Sequence, residues 1–491
     1  MKHTTQNPLQ DKMTGMALRS ALALLGAAAF ATPALADTTY YMVGAGDNSY
    51  GQMDDGTTED APVPFLVADG VVDVACGRLH TVYLVPGSDY YDMYCVGSNA
   101  NCQLGNSEDG NTTFQAVNTT AFKHASGVLS VQAGAYYTLY LSTNYDLFGM
   151  GSNAYYQLGE STPTEVPYAH QISTTKKKVL TYAAGYFHAL YVTKTDNALY
   201  GTGDNNAGQL GTGSVVSSTA ATEIETSGVS QVFAGGAHSL YITTAGALYA
   251  MGDNTYGQLG NGTNTTEESP VSVVDSGVTS AACGRFFSYY IDSSNNLYAS
   301  GDNTFGQLGD GTQTNQNSFE KIASDVVDVA AGRNQGFYIT SNGDLYAVGY
   351  NNYGQLCDGT TTTRLTPVKV AEDVVKVSSS DYHTMYLTSK FDSPFFPNYK
   401  LGGKWGYVMG WIDDTYFPWV WDYTENCWFY VYGGIKANLN TGYWIYYYNS
   451  DCTAGNWGYV ARSGGVWCLN ADGSTYSWIA SGETLPTYSV K

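Results

Sequence analysis

The side chains best suited to chemistry are three adjacent acidic pairs, Asp54-Asp55, Glu267-Glu268 and Asp413-Asp414. Two nearby carboxylates can bind a cation or divide the acid and base roles of a hydrolysis. Adjacent acidic residues are more often exposed turns, and we expect that role here. A recurring Asp-Asn-x-x-Gly phrase lacks the number of oxygen ligands that calcium requires. We therefore predict neither a metal site nor a cofactor.

The histidines indicate a structural role. Four of the seven occupy one position of a repeated phrase: His80, His188, His238 and His383. A repeated position indicates a repeated task, which we interpret as a hydrogen bond within each repeat. We expect His124 and His170 in loops. No His-Glu-x-x-His, Gly-x-Ser-x-Gly or Walker-type phrase occurs, so no motif predicts a catalytic residue.

The eight cysteines allow disulfides but do not require them. Cys76 and Cys283 precede the histidine position in small-residue strands, where we expect buried free thiols. Cys95 and Cys102 are candidates for a disulfide because they are close in one repeat. Three further cysteines in the tail permit at most one pair. The lack of a Cys-x-x-Cys phrase disfavours zinc and dithiol redox chemistry.

The composition predicts a folded β protein. The chain has 491 residues, of which 43% are hydrophobic and only 13% charged, with 56 Gly and 43 Tyr. The apolar fraction excludes a disordered chain, and abundant Gly and Tyr favour strands joined by tight turns. The net charge of −22 disfavours nucleic acid and anionic membranes as partners.

The first 36 residues have the features of a secretory signal peptide. Lys2, Lys12 and Arg19 precede an apolar stretch at 21–31, and the small-residue phrase Ala34-Leu35-Ala36 follows. We expect cleavage before Asp37 and a mature protein that is secreted, periplasmic or at the cell surface. No later segment has ~18 consecutive apolar residues, so we predict no transmembrane segment in the mature chain.

Two interleaved phrases recur through residues 37–390. The phrase Gly-x-Asn-x-x-Gly-Gln-Leu-Gly begins seven times, at Gly46, Gly97, Gly151, Gly203, Gly252, Gly301 and Gly349. Ala-Gly-x-x-His also occurs seven times, with its central residue at Gly77, Gly134, Gly185, Gly235, Gly284, Gly332 and Ser380. Short alternating apolar runs flank both phrases. A period of ~50 residues built from strands predicts an all-β fold, a seven-bladed β-propeller.

The two ends of this region predict how the ring closes. Residues 40–44 match the third strand of a later repeat at 248–252, so the first repeat begins in its middle. The last repeat stops after the second strand at 383–387. We expect the N-terminal strand to complete the seventh blade, a velcro closure that leaves no open edge.

The two phrases resemble the repeats of the regulator of chromosome condensation family, whose members form seven-bladed propellers. Kelch repeats have a similar period but need a Trp, and residues 37–390 contain none. The resemblance implies either exchange factors for a small GTPase, as among eukaryotic members, or binding proteins, as among secreted bacterial members such as inhibitors of β-lactamase. The exchange-factor residues find no match in this sequence.

Residues 391–491 differ in composition and contain all nine Trp. Tyr-rich runs alternate with Gly, Asn and Asp, which predicts a small aromatic-rich β domain. Its aromatic residues form either the core of that domain or a surface that stacks on sugar rings or anchors the protein. The candidate ligand-binding cluster is Trp411, Asp413, Asp414, Trp419 and Trp421.

These observations favour an exported, non-enzymatic binding protein. Its propeller loops would recognise a protein partner, and its C-terminal module would attach it to the surface or bind an envelope glycan. Copies differ most after the Gln-Leu-Gly phrase, as at 106–120 and 211–222. The alternative is an enzyme acting on envelope carbohydrate through carboxylates. Guanine-nucleotide exchange is less favoured still, because it requires an intracellular protein.

Overall fold

The computed structural model describes residues 39–88, 90–105, 117–161, 164–172 and 177–390, and it gives the backbone of six further strands between 419 and 479. Every regular element in these residues is a β-strand. The strands up to Thr388 pair antiparallel and form the seven blades of a β-propeller, which confirms the predicted fold class.

Each blade has four strands, counted from the axis outwards. Blades 1 and 2 consist of β3 (Asp73–Cys76), β4 (His80–Pro86), β5 (Tyr91–Ser98), the shared β6 (Val117–Ala133), β7 (Tyr137–Ser142), β8 (Leu147–Ser152) and β9 (Glu165–Gln171). Blades 3 and 4 consist of β10 (Val179–Ala184), β11 (His188–Thr193), β12 (Leu199–Gly203), β13 (Ser218–Glu225), β14 (Val229–Ala234), β15 (His238–Thr243), β16 (Leu248–Gly252) and β17 (Glu267–Val274).

Blades 5 to 7 follow the same plan. They consist of β18 (Val278–Cys283), β19 (Phe287–Asp292), β20 (Leu297–Gly301), β21 (Gln316–Ala323), β22 (Val326–Ala331), β23 (Gln335–Thr340), β24 (Leu345–Gly349), β25 (Arg364–Ala371), β26 (Val374–Ser379) and β27 (His383–Thr388), with β1 (Tyr40–Gly46) and β2 (Ala61–Val71). The inner strands contact one another in the cyclic order β3, β6, β10, β14, β18, β22, β26 and back to β3. This cycle makes the structure a closed ring.

Strand β6 belongs to two blades. Val128 pairs with Tyr91 in blade 1 and with Ser142 in blade 2, and the register shifts at this point. Gly127 adopts a φ of 68° just before the change of partner. The outer strand of blade 1 therefore continues into the inner strand of blade 2, and the two blades form one seven-stranded sheet.

The ring closes in the seventh blade, as the sequence predicts. Strand β1 lies between β27 and β2, and Val43 pairs with Tyr386 on one side and Leu66 on the other. The N-terminal segment contributes two strands to this blade rather than one. Residues from both ends of the propeller thus share one sheet.

The hydrophobic core is divided among the contacts between blades. Seven clusters of buried residues occur, one at each contact between neighbouring blades. At the closing contact, Met42 and Met385 from blade 7 pack with Val74 and Tyr83 from blade 1. Apolar burial therefore holds each blade to the next.

Two glycines of the repeated phrases are required by close backbone approach. Gly252 has a φ of 107°, and a Cβ there would lie 2.6 Å from the backbone oxygen of Ala237. At Gly235, a Cβ would lie 2.5 Å from the His238 ring and 2.6 Å from the oxygen of Gly284. Glycine at these points leaves room for the histidine and for the next blade.

The Asn and Gln of the long phrase hold the loop after each third strand. In blade 4, Asn254 accepts a hydrogen bond from the Leu259 amide and donates to Asn261 and to the Thr263 carbonyl. Gln258 donates to Asp253. These bonds explain the phrase without a metal, and no group of three metal-ligating side chains occurs among the residues that the structure describes.

Several sequence-based expectations are wrong. His124 lies buried in β6 and His170 lies in β9, so neither is a loop residue. Their strands were missed because a polar side chain interrupts the apolar alternation. Cys95 and Cys102 are both free, so this candidate pair does not form a disulfide. Cys76 is a buried free thiol, as predicted; Cys283 is also free, but it is only partly buried.

The chain divides into two compact units between Phe391 and Asp392. The described strands of the second unit form one antiparallel sheet in chain order: β28 (Trp419–Asp422), β29 (Cys427–Tyr432), β30 (Tyr443–Tyr448), β31 (Gly455–Ala461), β32 (Gly465–Leu469) and β33 (Tyr476–Ile479). Within the described part of the chain, no helix is long and apolar enough to cross a membrane. The expected signal peptide, residues 1–36, lies outside the described residues.

Candidate binding face

Both repeated phrases lie at one end of the ring. His238, at the start of β15, pairs with Gly252, at the end of β16, so the turn before the histidine and the loop after the glycine are neighbours. The same register recurs in every blade. We call this end the loop face; it consists of the seven Gly-x-x-His-type turns and the seven loops that follow the third strands.

The four repeated histidines join neighbouring blades. Each places Nε2 at 2.8–3.0 Å from a Ser or Thr hydroxyl of the next blade; the pairs are His80–Thr138, His188–Ser239, His238–Ser288 and His383–Thr81. The expected bond within one blade is wrong for His80, His188 and His238, whose Nδ1 atoms make no hydrogen bond; only His383 also bonds within its own blade, from Nδ1 to the Ser380 hydroxyl at 2.9 Å. The ring points towards the next blade. In three of the four blades the residue three positions earlier is a glycine, Gly77, Gly185 or Gly235, and a Cβ there would meet the ring.

The protonation state of these histidines follows from the hydroxyl. Ser239 donates its proton to the Gln209 carbonyl at 2.8 Å, so its oxygen accepts from the Nε2–H of His188. Nδ1 of His188 then makes no hydrogen bond and is fully buried. Burial lowers the pKa of His80 and His188 to about 3, and that of His238 and His383 to about 4. All four are neutral structural residues near pH 7.

The centre of the loop face is a small cavity on the propeller axis. All seven blades line it, mostly with glycine and alanine, and it encloses about 110 Å³. The residue after the central Gly or Ser of each turn lines it in five blades, as Arg78, Ala135, Tyr186, Arg333 and Asp381, and the same position holds Gly236 and Arg285 in the other two. We call this set the axial ring. The turn has the same length in every blade, but the residue type at this position differs from blade to blade. It is charged in four of the seven blades.

Asp381 is the acidic member of the axial ring, and it is only 3% exposed. The Tyr186 hydroxyl donates to Oδ1, and Oδ2 lies 3.2 Å from Arg78 Nε and 3.6 Å from Arg333 Nη1. Burial raises the pKa of Asp381, whereas the Tyr186 hydroxyl and the nearby arginines lower it. The pairing with two arginines leaves little net charge to draw a cation to this carboxyl.

The arginines outnumber the carboxylate. Arg78 donates to the Tyr136 hydroxyl and Arg333 to the Tyr382 hydroxyl at 2.6 Å, so both guanidinium groups are held in place. Arg285 lies over the Phe286 ring at 4.7 Å and forms no ion pair with any carboxylate of the described residues. The axial ring therefore has three positive groups and one negative group in a chain of net charge −22.

Aromatic side chains surround the axial ring. In three places a ring from the loop of one blade packs on a turn residue of the next: Tyr155 on Phe187, Tyr256 on Phe286 and Tyr353 on Tyr382, with centroids 4.6–5.2 Å apart. We call these six residues the aromatic rim. Tyr155 is 41% exposed. Arg, Tyr and Phe side chains of this kind are enriched in protein interfaces.

The buried cysteines offer no nucleophile to this cavity. Cys76 contributes to the lining, but burial raises the pKa of its thiol to about 12. A thiol with such a pKa contains very little thiolate near pH 7. The Cys76 thiol is therefore poorly suited to act as a nucleophile at the axial ring.

The candidate residues of the C-terminal unit are not assembled by the described structure. Trp411, Asp413 and Asp414 lie outside the described residues, and Trp419 and Trp421 belong to β28, of which only the backbone is described. Of the variable segments, 211–217 lies on the loop face and exposes Val216 by 72%, while 218–222 belongs to β13; residues 106–116 lie outside the described residues. The axial ring itself was missed because its members share a position but not a residue type.

Sequence models of one repeat match much of the propeller. Two models described as "Regulator of chromosome condensation (RCC1) repeat" match residues 44–84, 245–291 and 342–387, and residues 183–209, 229–258, 278–307 and 326–355. The propeller is thus built from repeats of this type, which confirms the resemblance noted from the two phrases.

Curated relatives match part of the chain. The human E3 ubiquitin-protein ligase HERC2 is 26% identical over 209 residues, which are 41% of this chain and 4% of that protein. The mouse secretion-regulating guanine nucleotide exchange factor is 31% identical over 173 residues, 33% of this chain and 36% of the relative. The Arabidopsis thaliana ultraviolet-B receptor UVR8 is 29% identical over 214 residues, 42% and 47% of the two chains. The chain spans less than half the length of each.

Solved structures agree on the fold. Prp20p from Saccharomyces cerevisiae, described together with its binding to Gsp1p and histones, superposes with a TM-score of 0.65 at 16% identity, over 80% of this chain and 97% of that chain. Human WBSCR16 superposes with a TM-score of 0.64 at 21% identity, over 72% of this chain and all of the other. At these identities the likeness concerns the propeller and its repeat geometry.

Proposed function

We propose that this chain, whose propeller is built from regulator of chromosome condensation repeats, is an exported, non-enzymatic protein that binds a protein partner through the loop face. The observation that carries the proposal is the combination of the axial ring with the aromatic rim. Arginine and aromatic groups contribute most of the binding energy in many protein interfaces. Here they are collected at the centre of one face by seven separate blades.

The geometry favours binding because the groups are already held in position. Phe187 and Tyr382 are packed by rings from neighbouring blades, and Tyr136 and Tyr382 hold two of the arginines. A partner then orders few side chains when it binds, so less of the contact energy is lost to conformational entropy. The short variable loops outside the rim, such as the one with Val215 and Val216, add contacts at the edge of this surface.

Export and surface attachment belong to the same proposal. The leader at 1–36 would direct the chain out of the cytoplasm, and sequencing of the mature N-terminus should then begin at Asp37. The C-terminal unit would attach the protein to an envelope glycan through its aromatic cluster. Co-sedimentation of the full chain with isolated envelopes should be reduced in a Trp419→Ala, Trp421→Ala variant whose propeller unfolds at the unchanged temperature.

Photo-crosslinking tests the use of the loop face. A photoreactive phenylalanine analogue at Tyr155 or Tyr256 should produce discrete protein adducts in an extract of cells that make this chain. The same group at Thr244 or Ser294, in exposed turns between second and third strands at the opposite end of the ring, is the matched control. Adducts formed only from the control positions would contradict the proposal.

Guanine-nucleotide exchange is a second candidate because one curated relative is named as an exchange factor. The activity would be seen as faster release of labelled GDP from a purified small GTPase of the Gsp1p type. Release at the uncatalysed rate, with crosslinks from the loop face retained, favours the binding protein over the exchange factor.

A further inference from the structure

We infer that the axial ring binds a single carboxylate side chain from an acidic segment of the partner. This inference rests on the proposed function and specifies the chemistry of the partner. The residues that carry it are Arg78 and Arg333, which line the axial cavity, and Arg285 at the matching turn position of blade 5; Asp381 holds the first two in place. The aromatic rim then receives the residues on either side of the bound carboxylate.

The charges of the axial ring favour an anion. Asp381 compensates one of the three guanidinium groups, which leaves an excess of positive charge at the axis. Arg285 is the group without a carboxylate partner among the described residues, and it stands on the turn between the cavity-lining Gly284 and the ring of Phe286. A guanidinium with free donors binds a carboxylate with two parallel hydrogen bonds.

Unsatisfied polar atoms point to the same ligand. Nε of Arg78, Nε of Arg333 and Oδ2 of Asp381 are buried and make no hydrogen bond, although Arg78 Nε lies 3.2 Å from that oxygen, so the buried donors outnumber the buried acceptor. Buried donors without an acceptor are costly, and about nine in ten such groups in folded proteins are satisfied. A carboxylate entering the cavity from the loop face would offer two further acceptor oxygens at this point.

The size of the cavity selects one side chain. Its volume of about 110 Å³ lies well below the ~300 Å³ at which pockets for small organic ligands begin. The lining glycines mark close contact between neighbouring blades around it, because a Cβ at Gly235 would lie 2.6 Å from the Gly284 oxygen. Nucleic acid does not fit, since its bulk cannot enter a cavity of this size. An Asp or Glu side chain fits this limit.

Fluorescence anisotropy with the full chain tests this inference. The probe is a labelled twelve-residue peptide, about the length that crosses one propeller face, in which Glu alternates with Tyr; its control has Gln in place of every Glu. We expect the Glu peptide to bind at least about tenfold more tightly than the Gln peptide. Arg285→Gln and Arg333→Gln should each weaken the Glu peptide by about tenfold and leave the Gln peptide unchanged.

Arg364→Gln is the matched control variant. Arg364 is also a partly exposed arginine, but it pairs with Asp358 in the outer part of blade 6 and is remote from the axial ring. Binding of the Glu peptide should be unaffected in this variant. Thermal unfolding of all variants shows whether the propeller is intact, and Arg285→Gln removes no ion pair, so it leaves no buried charge without a partner.

Equal binding of the two peptides, or unchanged binding in Arg285→Gln and Arg333→Gln, would overturn the inference. Competition by inorganic phosphate that is stronger than competition by acetate at equal concentration would do so as well, because it would assign a phosphate site. If the carboxylate fails while crosslinks from Tyr155 and Tyr256 persist, the proposed function stands. If those crosslinks are absent while the Glu peptide still binds, the proposed function fails and the anion site remains.

Discussion

At the scale of single residues, the bond between His188 and Ser239 shows how two blades are joined. Both side chains are fully buried, and the serine connects the histidine ring to the Gln209 carbonyl. Removing one partner leaves a buried donor or acceptor unsatisfied, which costs about 1–3 kcal/mol. The bond therefore stabilises the fold mainly because breaking it would leave a buried polar group without a partner.

A double-mutant cycle of His188→Ala and Ser239→Ala measures this contact. We expect a coupling free energy of about 1 kcal/mol in urea unfolding, the usual net value of a neutral hydrogen bond. His188→Ala with Ser288→Ala is the control, since Ser288 bonds to His238 instead. A coupling as large in the control pair would show that the energy does not come from this hydrogen bond.

The buried histidines also predict acid sensitivity. In the unfolded chain a histidine has a pKa of about 6.5, whereas His188 in the fold has a pKa of about 3. As the pH decreases below 6.5, the unfolded state binds more protons than the folded state. The free energy of unfolding therefore decreases by up to about 1.4 kcal/mol per pH unit for each histidine, and this loss ends near pH 3 to 4. His188→Gln should reduce this slope by about half a proton at pH 6.5 and by nearly one proton at pH 5, measured by urea unfolding.

Asp54 and Asp328 change the pH dependence of stability in the direction opposite to that of the histidines. Burial raises the pKa of each to about 6, so each stabilises the fold as the pH falls from about 6 towards 4. Comparing His188→Gln with the unaltered chain cancels this contribution. A slope that is the same in both chains would mean that His188 is protonated in the folded state.

The sequence contains a signal for the histidine contact that a single repeat does not show. Each repeated His is followed, in the next copy, by Ser or Thr one residue after the corresponding position. Where the position holds Tyr137 or Phe287, the next copy has Ala189 or Gly336. The partner can thus be read only by comparing adjacent copies. Arg285 and Asp381 gave no such signal, because charge at the axis arises from copies that differ.

At the scale of elements, the seventh blade is the most informative. Its outer two strands, β1 and β2, come from one end of the propeller and its inner two, β26 and β27, from the other. The incomplete first and last repeats predicted this arrangement. The continuity of β6 through two blades was not predicted, because a residue pattern with period two does not show where a strand changes its partner.

A proline in β1 tests the closure. Val43→Pro removes a backbone donor from a strand with neighbours on both sides and should destabilise the propeller by more than about 3 kcal/mol in urea unfolding. The control is Ala221→Pro in the outer strand β13, where β17 and β25 have Pro270 and Pro367 at the matching position. There we expect a change below about 1 kcal/mol. Similar losses in both variants would argue against a special role for β1.

At the scale of the whole molecule, the axial ring and the total charge have opposite signs. The net charge of −22 repels an acidic partner at a distance, whereas the arginines attract it at contact. The Debye length falls from about 30 Å at 0.01 M salt to about 8 Å at 0.15 M. Salt therefore screens the distant repulsion before it screens the contact.

The association rate of the Glu peptide should accordingly rise several-fold between 0.01 and 0.15 M salt, as measured by stopped-flow anisotropy. The Gln peptide, which carries no such charge, should associate at a rate independent of salt. A rate that falls as salt is added would mean that a larger positive surface attracts the peptide.

The shared seventh blade also sets an order in time. A ribosome delivers β1 and β2 first, but their partner β27 only after six other blades have been synthesised. Until then the nascent chain is an open arc with an unpaired edge at each end, and such edges bind other strands readily. The slowest event in maturation should be the meeting of the two ends, since pairing between such distant segments is kinetically slow. The ring can therefore close only after β27 has been synthesised and has left the ribosome.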